Sequence, residues 1–402
     1  MRPYGAAPRR RFEMLVMAFL LGASLGSAQS NTRVLLSSGW GVPAHQGFAF
    51  GPFTDLAMND AREVVFVTTL RGSRSDLRAV VRSRGVSFEV VAFQGLRAPV
   101  PRTTYETFSA PSLNAAGQIA FTAGLKDDVP VSAVIRIAAE GALALATSGC
   151  PVPGRPDATF QEFSPPVATS TGNVVFAARL GGKQPGSGLF LWTPGGLNSV
   201  PLPAELALKP SDLLVPAFAS RDDAVFVLRG APPEAVTEQI FRTVASRNFQ
   251  DLKPAPEEQE VVEILPARAG EAPVKLLFVM VEGDQIHTAV LTGDPLLAVK
   301  AKKSEKSPPV ELARVQGQTA GPRGNVIIAA APSQAPNDLA LFCYCEGELR
   351  RLTSPEEFLS VTIPAAGRPI QSLSGDGLHT MAFIAPAEAA GDATTIYVVS
   401  VP

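Results

Sequence analysis

Few residues in this sequence have the type and spacing that chemistry needs. Its three histidines, His45, His287 and His379, stand far apart, whereas a general base or metal ligand works beside other polar groups. There is no HExxH, GxSxG or phosphate-binding glycine loop. The sharpest local pattern is Gly39-x-x-x-Pro43, Gly95-x-x-x-Pro99 and Gly149-x-x-x-Pro153, each followed by an aromatic pair: Phe50 and Phe53, Tyr105 and Phe108, Phe160 and Phe163. Polar residues lie between the aromatics. His45, Tyr105, Glu106, Gln161 and Glu162 are therefore the candidate binding residues, suited to hydrogen bonding and stacking at a rim. The competing structural assignment has Gly and Pro shaping a loop while the aromatics brace one sheet against the next. A hydrolase or lyase acting on polysaccharide is the catalytic alternative. It requires two carboxylates within about 10 Å of each other.

No metal or cofactor is expected. Cys343 and Cys345 are two apart on a strand-like run, so they share a face and a bond between them would be strained. With Cys150 they read as small buried hydrophobes. Asp127-Asp128 and Asp222-Asp223 lack calcium-loop spacing. The lysine run at 300–309 and the acidic run at 253–260 read as solvated loops.

The elements that would position these residues recur. Taking the aromatic of "GQIAF", Phe121, as an anchor, equivalents stand at Phe66, Phe176, Phe226, Phe278, Ile328 and Phe383, with spacings of 55, 55, 50, 52, 50 and 55. A period near 53 signals a repeat architecture, and a four-stranded blade fits it. Gly and Pro number 34 and 36 in 402 residues, which disfavours long helices and suits short strands joined by turns. Before each anchor strand comes a turn such as "LNAAG". Its Asn bonds its own main chain, and its Gly takes positive φ without penalty. Apolar runs such as "SAVIRI" and "ALALAT", split by "AAEG", follow as hairpins.

The segment "VLLSSGWGVP" (34–43) matches the end of a repeat but has no strands before it, and the last repeat stops after its third strand. The expected fold is thus an all-β, seven-bladed β-propeller of four-stranded blades. Residues 33–38 complete the blade of 370–400 and remove two exposed sheet edges. It forms one domain over 29–402.

Residues 1–28 read as a signal peptide: Arg9-Arg10-Arg11, an apolar stretch "LVMAFLLGASL", then small residues at Gly26 and Ala28. The apolar stretch is shorter than the roughly 20 residues that span a bilayer. The arginines also loosely match a twin-arginine export signal. Cleavage would remove four of the 35 basic and one of the 37 acidic residues, leaving a net charge of −5. That balance does not favour nucleic acid. The expected product is a secreted or periplasmic monomer with no membrane span.

"NAAGQIAF" resembles the signature of the NxxGxxAF tandem-repeat family of exported bacterial proteins. Asn114, Gly117, Ala120 and Phe121 match it position for position, and 59–66 keep Asn59 and Phe66 with Arg62 for the Gly. The resemblance is strong over about 33–193. Near the end, "LSGDGLHTMAF" is similar to the turn of TolB-like propeller blades. The resemblance implies a β-propeller and export, often with a separate C-terminal surface anchor; with the sequence ending at Pro402, surface attachment of that kind is not expected. It implies no reaction. The functional expectation is a non-catalytic binding or scaffold module for a protein or cell-envelope polymer.

Overall fold

The computed structural model describes residues 32–229 apart from 44, 128, 130, 207, 221 and 222, and beyond that the strands given below with Ala393. Residues 1–31, which include the segment 1–28 read as a signal peptide, His379, and the runs at 253–260 and 301–309 lie outside the described residues.

The fold is all-β and propeller-like, built of small antiparallel sheets. Sheet 1 comprises Phe48–Met58, Glu63–Gly72, Asp76–Arg84 and Ser87–Phe93. Sheet 2 comprises Thr104–Phe108, Ile119–Lys126, Val131–Ala138 and Gly141–Thr147, with Ser112–Leu113 at its edge. Sheet 3 comprises Arg155–Phe163, Val174–Gly182, Gly186–Thr193 and Gly196–Val200, with the short pieces Pro151–Val152 and Val167–Ala168. Sheet 4 comprises Leu214–Ser220, Asp223–Leu228, Val274–Glu282 and Gln285–Gly293. Sheet 5 comprises Leu312–Ala320, Val326–Pro332, Ala340–Cys345 and Glu348–Thr353. Sheet 6 comprises Ser372–Gly375, Thr380–Pro386, Thr394–Ser400 and, from the other end of the chain, Thr32–Ser37. Glu263–Ile264 and Val299–Lys300 form a separate pair.

The N-terminal strand pairs antiparallel with the C-terminal one, Thr32 opposite Val399 and Ser37 opposite Thr395. Side chains lock this seam. Ser38 Oγ accepts from Thr394 N at 3.0 Å, and Thr394 Oγ1 accepts from Phe53 N of sheet 1 at 2.7 Å. The edge that either terminal strand would expose alone is therefore paired.

Seven units were expected, but six sheets of four or more strands form among the described residues. The difference lies at Phe226 and Phe278. They stand on neighbouring strands of sheet 4, with Val225 opposite Phe278 and Phe226 opposite Leu277. Between these strands the chain runs from 229 to 273, so the 52-residue spacing measures an insertion within one sheet. The third strand, "VKLLFVMVE", carries the apolar pattern of an anchor strand, and its Leu277, Val279 and Val281 are buried.

Burial on both faces explains why strict alternation is lost in the anchor strands. Phe66 faces a core layer shared with Leu36, Ile384 and Ile396 of sheet 6, while Val65 and Val67 face Tyr105, Ile119 and Phe121 of sheet 2. Ala120 turns the other way, toward Phe160 and Phe176 of sheet 3. The second strands of sheets 1, 2 and 3 thus each supply two layers, and both of their residue sets must be apolar. Further contacts join the first strands of sheets 4 and 5, 5 and 6, and 6 and 1.

The turn before each anchor strand stitches the sheets together. Asn59 and Asn114 are buried, with 3% and 4% exposed. Asn59 Oδ1 accepts from its own Glu63 N–H at 2.9 Å, while Nδ2 donates to Glu63 Oε2 at 3.2 Å and to Asn114 O in the next sheet at 2.9 Å. Asn114 repeats the pattern through Gln118 and Thr169 O, at 2.9, 3.0 and 2.8 Å. At Thr169 the hydroxyl accepts locally from Asn173 N at 3.1 Å, but it carries no second donor arm for a further rung. The fourth turn position is left-handed each time: Arg62 at φ 60, Gly117 at 75 and Gly172 at 87.

Candidate functional site

The loops between successive sheets share one backbone frame. In the first, Gly39 N donates to Phe50 O at 2.6 Å and Phe50 N to Trp40 O at 2.8 Å. In the second, Gly95 N bonds Tyr105 O at 2.8 Å and Tyr105 N bonds Leu96 O at 2.9 Å. In the third, Gly149 N bonds Phe160 O at 2.8 Å and Phe160 N bonds Cys150 O at 3.0 Å. The glycines sit at φ 92, 89 and 82, and the space where a Cβ would stand is open, so backbone conformation alone selects glycine there.

The aromatic pairs that follow are core. Phe50, Phe53, Tyr105, Phe108, Phe160 and Phe163 are all buried, and each pair contacts its anchor ring, as in Tyr105–Phe121 at 6.1 Å and Phe108–Phe121 at 5.6 Å. Tyr105, a candidate ligand contact, is 2% exposed, and burial pushes its phenol up to about 12. It braces sheet 1 against sheet 2 and offers a rim no surface.

The polar candidates between the aromatics are exposed by β-bulges. In sheet 2, Tyr105 pairs with Leu125 and Thr107 with Gly124, so Glu106 is the extra residue. In sheet 3, Phe160 pairs with Leu180 and Glu162 with Arg179, leaving Gln161 as the extra one. A bulge aims such a side chain off the strand. Both are exposed, and Gln161 lies over Gly181, where any larger side chain would collide with it. Glu162 is tied between sheets. It pairs with Arg179 at 3.1 Å and with Arg229 of sheet 4 at 2.7 Å. The carboxylate is thereby flanked by two guanidinium groups.

His45 lies half-buried in the first loop, where its main chain closes two turns, His45 N to Val42 O and Phe48 N to His45 O, both at 3.2 Å. His287 is exposed on the last strand of sheet 4. Cys150 is a free, exposed thiol, contrary to its expected burial: it takes the position that exposed Trp40 holds in the first loop, where the shared frame engages only the main chain. Among the described residues no group of three or more His, Cys, Asp or Glu converges as a metal site, and no helix is long and apolar enough to cross a membrane.

Trp40, Arg97 and Arg102, which no motif singles out, are also exposed on these loops. The sequence does carry a signal for one of them. Counted back from the first aromatic of each loop, Arg102 stands three residues before Tyr105, as Gly47 stands three before Phe50.

Residues 22–134 match the model of a family of unknown function (DUF7453). No curated protein matches the chain. Among solved structures, the chain is similar to the β-propeller domain of the Trilobed protease from Pyrococcus furiosus at 9% identity, over 84% of this chain and 91% of that one, with a TM-score of 0.41. It is similar to the Trypanosoma rangeli sialidase at 10% identity, over 92% of this chain and 59% of that one, with a TM-score of 0.40. A protein of unknown function from Dyadobacter fermentans is matched at 10% identity, over 92% of this chain and 99% of that one, with a TM-score of 0.38.

Proposed function

We propose that this chain is a non-catalytic binding or scaffold module: a closed propeller-like ring of six blades, exported by its leader, that holds a protein or cell-envelope polymer at its inter-sheet loops. The observation that carries this reading is a constant frame with variable tips. Three loops share the same reciprocal hydrogen bonds to a buried aromatic residue, yet at one position they present Trp40, Leu96 and Cys150. Rigid frames with variable exposed residues are how scaffolds display recognition surfaces. The bulged Glu106 and Gln161 extend the same rim. Glu162, engaged by Arg179 and Arg229, supports binding over paired-carboxylate chemistry, whose two groups must face one reacting bond.

The test is site-specific photo-crosslinking of the full chain in cells that make it. Probes at positions 40, 97 and 150 should capture a partner or polymer. A probe at Val86, which is 95% exposed on a hairpin at the opposite end of sheet 1, should not. Capture from position 86 alone, or loss of a measured turnover on alanine replacement of His45, Glu106 and Glu162, would overturn the proposal.

A further inference from the structure

The arginines of sheets 1 and 2 divide sharply between the two ends of the strands. At the hairpin end they are matched by carboxylates: Arg82 with Glu89 at 2.5 Å, Arg84 with Glu63, and Arg136 with Glu140 at 2.6 Å. At the loop end, Arg71, Arg74, Arg78, Arg97 and Arg102 are exposed, and with Lys126 they form no ion pair among the described residues.

Register places these groups on one surface. Arg71 pairs with Ala49, which bridges Gly41, the neighbour of Trp40. Arg97 bridges Thr104, which pairs with Lys126. With about 4.8 Å between adjacent strands, each row spans about 10 Å. Arg78 joins the two rows, because its carbonyl accepts from Gln94 N at 2.8 Å and Gln94 opens the second loop. Among the described residues, Asp76, Glu106 and Asp127 are the acidic groups on the same strand ends and turn, so six described cations stand beside three described carboxylates.

Arg102 adds an independent observation. Its φ is 66, a left-handed backbone that the other two loops reach with Gly47 at 89 and Gly154 at 73. An arginine held where glycine would be unstrained points to a use for its side chain.

We propose that this loop end of sheets 1 and 2 binds an acidic polysaccharide. The proposal rests on the loops being the binding rim and names the chemistry of what they hold. Guanidinium forks spaced along a surface suit carboxylates spaced along a polymer. Trp40, 51% exposed, offers a flat indole to the apolar face of a sugar ring. Single-stranded nucleic acid would need aromatics for successive bases, and the equivalents of Trp40 are Leu96 and Cys150.

The experiment measures binding of the full chain to polygalacturonate, dextran and oligo(dT) at 50 and 200 mM salt. Polygalacturonate should bind, at least tenfold more weakly at the higher salt, and dextran should not. Arg102→Gly restores the residue of the other loops. It should weaken binding about fivefold with no loss of melting temperature, and Arg97→Ala with Arg102→Gly at least tenfold. Absence of polygalacturonate binding at 50 mM salt, wild-type affinity in the double variant, or tighter binding of oligo(dT) would overturn the proposal. Crosslinking from positions 40 and 150 alongside failed polygalacturonate binding would remove this proposal and leave the binding rim standing. Crosslinking from position 86 alone would remove the rim itself.

Discussion

Replacing Asn114 with alanine should destabilise the protein by about 3 kcal/mol. The side chain is 4% exposed and makes three hydrogen bonds, to Gln118 N at 2.9 Å, Gln118 Oε1 at 3.0 Å and Thr169 O at 2.8 Å. At about 1 kcal/mol net for each, their loss gives that figure. Asn114→Thr should cost only about 1–2 kcal/mol, because a hydroxyl can keep the bond within the turn, as Thr169 does with Asn173, while the rung to sheet 3 is lost. Over 402 residues, an unfolding entropy of about 2.1 cal/mol/K per residue amounts to about 0.8 kcal/mol/K. The alanine variant should therefore melt about 4 °C lower and the threonine variant about 2 °C lower. Urea unfolding followed by circular dichroism supplies the free energies. Asn59 donates to the backbone carbonyl of Asn114, not to its side chain, so Asn59→Thr and Asn114→Thr should add within about 0.5 kcal/mol. A cost below about 1 kcal/mol for Asn114→Ala, or equal costs for alanine and threonine, would refute the account of the asparagine as an inter-sheet rung.

Gly39→Ala should cost about 1–2 kcal/mol in urea unfolding while Gly41→Ala costs little, since both have open space around them but only Gly39 has a positive φ. Phe121→Ala, emptying a fully buried site between Tyr105 and Phe108, should cost about 3–5 kcal/mol in the same assay. The raised Tyr105 phenol stays protonated in the fold while the unfolded chain ionises near pH 10, so stability should fall as pH rises from 10 toward about 12; Tyr105→Phe should remove that slope from melting temperatures taken across this range. Glu162→Gln breaks two partly exposed ion pairs and should shift urea stability by less than about 1 kcal/mol.

Much of the architecture is written locally. The 55-residue recurrence is legible because each anchor strand must be apolar on both faces, and the Asn-x-x-Gly turn because its polar atoms and left-handed corner tolerate few residue types. The pairing of the two terminal strands was legible from one strand too few at the end and one too many at the start. Spacing misled at Phe226 and Phe278, where an insertion within sheet 4 happens to match the repeat period. It also could not separate Tyr105, turned inward, from Glu106, turned outward by a bulge, since a one-residue register change reverses the face of a strand.

What the sequence determined by itself, then, is a chain of repeated double-faced strands with asparagine turns between them, because burial and backbone conformation act on residues close in the chain. What only the tertiary structure decided is which strands share a sheet, that Asn59 and Asn114 reach across to the next one, and that arginines at one end of sheets 1 and 2 meet carboxylates while those at the other end face solvent. Those outcomes depend on register and on groups far apart in the chain, such as Ser37 and Thr395, which are 358 residues apart. Charge pairing and edge closure become defined only when distant strands come within hydrogen-bonding distance.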